Sequence, residues 1–534
     1  MRLRVLQVTI WIGILVCTVG CLKKKSSPYT DYELSETLRY SLGGEPPTLD
    51  WSKSTDTTSS LVIRNIMDGL ARYDFSGKSV EIRPDLAQSW TSSSDKTKWV
   101  FHLKSVQWSD GKPLTAQHFV EGWERLLNSK TGSEYAYFLF PVKNARAYNE
   151  GRMKDFSQVG VRQGEKGELI VHLEKGLSYF PYLLTHPSTF PLRGDVVKSR
   201  GAAWSEPKNI VTLGAYRLTR WDHDKALILE ANENYHGRHP FIKKVIIYII
   251  PEEKTILDLF LSGRLDVAPS LSSRDLIFLK NKKEYRSHNI LSLYYYGFNV
   301  KTPVLKDVRV RKALVHAVDR KEIVRLLNGG QKPMKSWIPE GIFGYNKNLG
   351  LSFDPKKASS FLDEAGYKDR SSFPRIKLSY NTTADHKMIA ENVQSQLKRN
   401  LNIDIELSNQ EWKTYLQRLD AGDVEVFRLG WMADYPDPDN FMNLMTSFSD
   451  NNHTHWGHPK YDELILKAMS QPSGPKRKVL YDKAQKILLE QEVAVFPIYS
   501  GVSHILVSPR LKNYPLNVMS EVFFGDIQFK SEGE

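Results

Sequence analysis

Cysteine is all but missing from this chain. Its 534 residues hold two, Cys17 and Cys21, both in or at the end of an apolar N-terminal segment, so the remainder has no pair to form an internal disulfide and no thiol nucleophile. Long apolar runs are missing too: after that first segment none reaches the roughly eighteen residues of a spanning helix. The chain has no GxxxxGK[ST] loop to cradle phosphates, no Gly-x-Ser-x-Gly elbow and no HExxH pair. Those absences remove the motif-borne enzyme classes and leave only a paired-carboxylate hydrolase, whose acids need not be close in sequence. No repeat, heptad array or low-complexity block stands out. Lysine and arginine total 74 against 61 acids, a net +13, but the charges are interspersed and form no basic arm. This balance argues against nucleic acid as a partner and weakly for an anionic neighbour such as a membrane surface.

What is present begins with an export signal. Arg2 and Arg4 precede an apolar run from Val5 to Val19, and Gly20 stands before Cys21. Residues 1–20 are read as a signal peptide and 21–31 as a lipidated tether, with Ser26 to Thr30 as its flexible part. Cys21 resembles the lipid-accepting cysteine of bacterial lipoproteins, although Thr18 stands where that pattern usually has leucine. The protein is therefore expected outside the cytoplasm, periplasmic or in the cell envelope and anchored by lipid. At this length, with 41% hydrophobic residues, two or three lobes are expected.

Strand and helix patterns are mixed throughout, which predicts an α/β fold. Thr57 or Thr58 is placed to cap a helix carrying Ile63, Ile66, Met67 and Leu70. Trp99 to Leu103 alternates as a strand, and the turn Trp108 to Ala116 leads into a helix near Thr115. Val245 to Ile250 reads as a strand buried on both faces. Asp307 to Val318 and about 385–399 read as helices, and Ile403, Ile405 and Leu407 as a half-buried strand. Pro497 marks Val493 to Tyr499 as an edge or terminal strand, the last element before the tail.

The most informative stretch runs from Arg428 to Asp439. Val424, Val426 and Arg428 alternate with Phe427, Leu429 and Trp431, so Arg428 can point away from the bulky apolar side chains. Asp434 follows, where Pro436 and Pro438 stop the ladder. A cation and an acid so placed suit the two ends of a peptide.

Several segments, in order along almost the whole chain, resemble the oligopeptide-binding branch of the extracytoplasmic solute-binding proteins of ABC transporters. They are Leu86 to Trp90, Trp99 to Arg125 with its Trp-Ser-Asp-Gly-Lys-Pro-Leu-Thr-Ala core, Asn209 to Tyr216, Asn232 to Tyr235, Asp307 to Leu314, Asn409 to Lys413 and the stretch around Trp431. The resemblance implies a bilobal periplasmic-binding-protein fold in three domains. Domain I would comprise 32–66, 193–290 and 501–534, domain II the insertion 67–192, and domain III 291–500. It also implies capture of short peptides between closing lobes and delivery to an inner-membrane ABC permease with a separate ATPase. A monomer without cofactor, doing no chemistry on its ligand, is expected.

By the same resemblance Asp434 pairs with the ligand α-ammonium, and Arg428 and His386 meet its carboxylate. Trp412 and Trp431 form aromatic walls, Gly430 to Met432 offer backbone groups as to an added strand, and Tyr135 is a cavity tyrosine. The family's further cleft acid falls here at Thr55, next to Asp56. A rival reading is a metal, metal-chelate or haem binder of the same fold. It rests on His453, His455 and His458, the one dense histidine cluster, although its spacing is loose and no metal site is assigned.

Overall fold

The structure, a computed structural model, describes residues 36–77 and 80–531. The signal segment, Cys17, Cys21 and the tether lie outside the described residues. The fold is α/β, built on three larger sheets with helices between and around them. No helix among the described residues is long and apolar enough to cross a membrane.

The first sheet has the order Thr37–Leu42, Lys244–Ile249, Ala226–Ala231, Tyr216–Asp222. Its apolar strand Lys244–Ile249 is central, parallel to the first and antiparallel to the third, with Val245, Ile246 and Ile247 buried as their β-branched run predicts. The second sheet is antiparallel, in the order Ala87–Ser92, Lys98–Leu103, Leu169–His172, Val161–Gln163. Helix Ala116–Leu127 starts after Thr115 as expected. The Thr115 N–H donates to His118 Nδ1 at 3.1 Å, and the helix buries Phe119, Trp123 and Leu126.

The third sheet has seven strands. Its order is Val267–Ala268, Val495–Val507, Tyr285–Phe298, Val426–Met432, Ile376–Asn381, Ile405–Gln410, with Lys332–Pro333 also paired to Val495–Val507. Helices Val308–His316 and Ala384–Leu401 form close to their expected limits, and both bury apolar faces in one core with this sheet. Two of its strands are long, Tyr285–Phe298 with 14 residues and Val495–Val507 with 13. They pair antiparallel, but the ladder is interrupted between Asn289 and Leu293. At one end Asp266, beside the edge strand, ties them to the first sheet. It receives the Arg39 backbone N–H at 2.8 Å and pairs with Arg39 at 2.9 Å and Arg510 at 2.6 Å.

Three local expectations need correction. The first helix, Thr57–Ile66, is capped by Asp56, whose carboxylate accepts from the Thr58 and Ser59 N–H groups at 2.9 Å each. An aspartate one residue earlier outcompetes both threonines because its ionised oxygen is the stronger acceptor. The helix also stops before Met67 and Leu70; both are buried as expected, Met67 in extended backbone and Leu70 at a bend beyond the helix. The Ile66 carbonyl accepts instead from Gly214 N–H at 2.8 Å. Finally, Pro497 lies inside the sheet rather than at its edge, and its strand continues to Val507. It is tolerated because the register slips there, Tyr294 facing Tyr499 while Tyr295 faces Pro497, so the missing N–H falls at a bulge.

Gly297 sits opposite Phe427 on the neighbouring strand, whose ring occupies the space a side chain would need: a Cβ there would come within 2.2 Å of the ring. Phe427 is buried and cannot swing into solvent. Gly297→Ala is therefore expected to destabilise the fold by about 1–3 kcal/mol, read as a lower urea midpoint with an unchanged slope.

Candidate functional site

A cavity of about 620 Å³ lies where the three sheets meet. Its walls include Tyr40 from the first sheet, Tyr135 and His186 from the segments around the second, and Tyr294, Gly430 and Asp434 from the third. Along one wall runs strand Val426–Met432. Its one edge is fully paired with Ser292–Phe298, but on the other edge the parallel ladder to Ile376–Asn381 covers only Val426 and Phe427. The Arg428 carbonyl is taken by Tyr415 Oη at 2.6 Å. From Leu429 to Met432 that second edge has no strand beside it and lines the cavity. Phe427, Leu429 and Trp431 are buried on one side while Arg428 and Gly430 are half-buried on the other, as the alternation predicts.

Asp434 stands just past the strand end. Pro436 and Pro438 turn the chain into helix Pro438–Asn443, and Asn440 on that helix reaches back. Its Oδ1 accepts from Trp431 Nε1 and from the Asp434 N–H, each at 3.0 Å, while its Nδ2 donates to Asp434 Oδ2 at 2.9 Å. From the other wall Tyr135 Oη donates to the same oxygen at 3.5 Å, Tyr73 Oη donates to the Asp434 carbonyl, and His186 Nε2 lies 3.6 Å from Oδ1. Burial pushes the Asp434 carboxyl up to about 7, against the Asn440 hydrogen bond and the charge of Arg64. Burial also holds His186 well below the usual imidazole range, so it is neutral and supplies no counter-charge. Arg64 is committed elsewhere, with Glu521 at 3.1 Å and the Thr185 carbonyl at 2.9 Å. Asp434 thus has hydrogen-bond support but no cation in contact with it among the described residues.

Arg428, six residues back, donates from Nη1 to Asn381 Oδ1 at 3.0 Å and stacks 4.5 Å over the Tyr294 ring, with its Nε buried and unpaired. His386 lies in the first turn of Ala384–Leu401, where its N–H is capped by Thr383 Oγ1 at 3.0 Å. Its ring packs 5.5 Å from Tyr294 and does not reach the cavity wall. Burial, and secondarily the charge of Arg428, hold it well below the usual imidazole range. In this arrangement His386 is a neutral neighbour of Arg428 rather than a second cation.

Of the aromatic residues, Trp431 is fixed by its bond to Asn440, and Tyr135 packs between Trp431 and His186 at ring distances of 6.3 and 4.2 Å. Trp412 begins helix Trp412–Asp420, lines the cavity half-buried, and faces Gly44, just past strand Thr37–Leu42 of the first sheet, so closely that a Cβ there would lie 3.4 Å from it. Thr55 and Asp56 also line the cavity, but one Asp56 oxygen is spent on its helix cap.

The remaining acids and histidines of the region have other tasks. Asp437 caps helix Pro438–Asn443 and forms a two-pronged pair with buried Arg477 at 2.7 Å for each contact. Asp439 is buried, accepting from Tyr435 Oη at 2.9 Å. The three histidines diverge: His453 is buried in the cavity wall, His455 is exposed, and His458 caps helix Pro459–Met469. Sequence reasoning missed Asn440, which faces Asp434 only once the prolines turn the chain into its helix, and Tyr73 and His186, which reach Asp434 only through the tertiary fold.

Comparison with known proteins places this geometry. The family model for bacterial extracellular solute-binding proteins, family 5 Middle, matches residues 81–453. The periplasmic oligopeptide-binding protein OppA of Escherichia coli is 33% identical over 494 residues, 90% of each chain. The crystal structure of Haemophilus influenzae OppA in complex with RPPGFSPFR superposes with a TM-score of 0.88 at 29% identity, covering 93% of this chain and 99% of that one. The Escherichia coli murein tripeptide-binding protein MppA superposes equally well, at 0.88 and 31% identity over 93% and 99% of the two chains. Its unliganded open form, at the same identity and covering 93% and 98%, superposes at only 0.62. The chain belongs to family 5 of the bacterial extracellular solute-binding proteins.

Proposed function

We propose that this protein is the solute-binding component of an ABC peptide importer, enclosing short peptides in the cavity and presenting them to a membrane permease driven by a separate ATPase. The observation that carries this reading is the strand edge from Leu429 to Met432, open to the cavity and flanked by Arg428 at one end and by an acid without a cation, Asp434, at the other. Every peptide can pair its backbone with such an edge, whatever its side chains. Six extended residues place the two Cα atoms about 20 Å apart. Once the arginine and aspartate side chains reach inward, about 10 Å remains, the span of roughly three extended residues. The α-ammonium would meet Asp434, and the carboxylate Arg428 with His386 behind it.

The described arrangement is the closed one on this reading, since it superposes far better on MppA than on that protein's open form. Only a closed form lets one ligand touch Asp434 and Tyr135 together, so ligand would shift an open–closed equilibrium. The division expected at residues 291 and 500 falls within the two long strands, beside their interrupted ladder. Export through the 1–20 signal, a lipid anchor at Cys21 and a monomeric state complete the proposal.

Asp434→Asn is expected to weaken peptides with a free amine by about 10- to 100-fold, the loss of one charge-assisted contact of about 1.5–3 kcal/mol, while N-acetylated peptides change little. Arg428→Ala should discriminate in the same way between free carboxylates and C-terminal amides. Calorimetric titration of all four ligand types checks both; equal losses for blocked and unblocked peptides would make the two charges structural.

The raised Asp434 also sets a pH dependence. Bound ammonium favours the ionised carboxylate, so its pKa falls on binding, and below about 7 the site must give up a proton to bind. Affinity for a free-amine peptide should therefore rise between pH 5 and pH 7.5. The N-acetylated form serves as the control that cancels other titrating groups, and a parallel rise for both would remove Asp434 from the ammonium contact.

A further inference from the structure

A second group of charged residues lines the cavity away from the strand edge. Glu134, from the second-sheet side, and Asp420, the last residue of helix Trp412–Asp420 on the third-sheet side, face each other with His453 between them. A carboxylate oxygen from each acid and a ring nitrogen of His453 all lie within 4.8 Å of one another. His453 is 8% exposed and makes no hydrogen bond among the described residues; its Nδ1 is 4.0 Å from Asp420 Oδ1. No described lysine or arginine lies within ion-pair distance of either acid, and a third acid, Asp450, is close enough to add to the negative field. Beside the group, Asn451 Nδ2 donates to the Glu134 carbonyl at 3.2 Å and links the two walls.

Two acids drawn together from opposite walls, without a counter-ion, oppose the closure that brings them there. The strain shows in their proton affinity: burial, with Asp420 and Asp450 nearby, pushes Glu134 up to about 8, and burial pushes Asp420 up to about 6. Burial holds His453 down to about 4, leaving a neutral imidazole that can accept a hydrogen bond. Two kinds of cation suit such a group, with different spacings between their contacts. Ligands about 2.1 Å from a tetrahedral zinc ion are about 3.4 Å apart. Acceptors about 2.9 Å from an ammonium nitrogen are about 4.7 Å apart. The 4.0 Å approach of His453 to Asp420 lies between the two spacings and admits either; the group lines the cavity that would enclose the peptide, where a basic side chain is the cation at hand.

We infer that Glu134, Asp420 and His453 form a subsite for a basic side chain of the bound peptide, so that a lysine-like residue supplies the charge that lets these two walls meet. The inference rests on the peptide-binding reading above and adds to it a preference that main-chain pairing cannot provide. The histidine cluster picked out in the sequence then contributes one member, His453, whose partners come from elsewhere in the chain.

The test is calorimetric titration of the full chain with tri- and tetra-alanine, and with the same peptides carrying lysine, norleucine or glutamate at each position in turn. At one position lysine is expected to bind at least about 10-fold tighter than norleucine, its uncharged counterpart, with glutamate weaker than both. Glu134→Gln combined with Asp420→Asn should bring the lysine-to-norleucine ratio near one, with a circular-dichroism melting midpoint showing that the variant is folded. Binding of the alanine peptides with no lysine preference at any position overturns the subsite but leaves the peptide reading standing. Binding of none of the peptides overturns that reading and the subsite with it. Zinc, manganese or calcium bound stoichiometrically by peptide-free protein and lost in the double variant, without a lysine preference, would reassign the cluster to a metal.

Discussion

A strand paired along one edge still carries donors and acceptors on the other, and in a cavity enclosed by protein those groups must find partners or bear a desolvation cost. The stretch from Leu429 to Met432 is in that position. Much around it is arranged to keep it so. Ile376–Asn381 pairs with only the first two residues before diverging, Tyr415 covers the Arg428 carbonyl, and the prolines after Asp434 prevent the ladder from continuing. On the proposed reading the charged residues matter because of this edge: they stand at its two ends and would fix the direction in which an added strand runs.

Asp434 shows how such a site is held ready. Its carboxylate is supported by Asn440 and Tyr135 but is not neutralised, since His186 is neutral and Arg64 is paired with Glu521. Asn440 also fixes Trp431, so one amide holds both the acid and the neighbouring wall. An internal lysine or arginine would satisfy Asp434 permanently and leave it nothing to recognise. On the proposed reading, the desolvation cost that Asp434 bears is what makes a ligand's ammonium useful there.

The parts legible in the sequence were those governed by local periodicity or by one strong capping preference. The alternation around Arg428, the central strand Lys244–Ile249 and the helix after Thr115 are of this kind. Misreadings arose where a second interaction competed. Asp56 displaced two good caps, and Pro497 was accommodated by a bulge that no one-dimensional rule foresees. Asp439, just after Pro438, looks like a surface turn residue until Tyr435 is seen folded over it. The grouping of Glu134, Asp420 and His453 was illegible for a different reason: its members are far apart in sequence and meet only across the cavity.

The two long strands Tyr285–Phe298 and Val495–Val507 have a mechanical consequence. Side by side and hydrogen-bonded at both ends, they resist sliding past one another, as that would break every rung at once. At the level between Asn289 and Leu293 the rungs are missing, so flexing there sacrifices none of them. A pair of ribbons clamped at both ends and thinned at one level behaves as a leaf spring: stiff to shear, compliant to bending about a single axis.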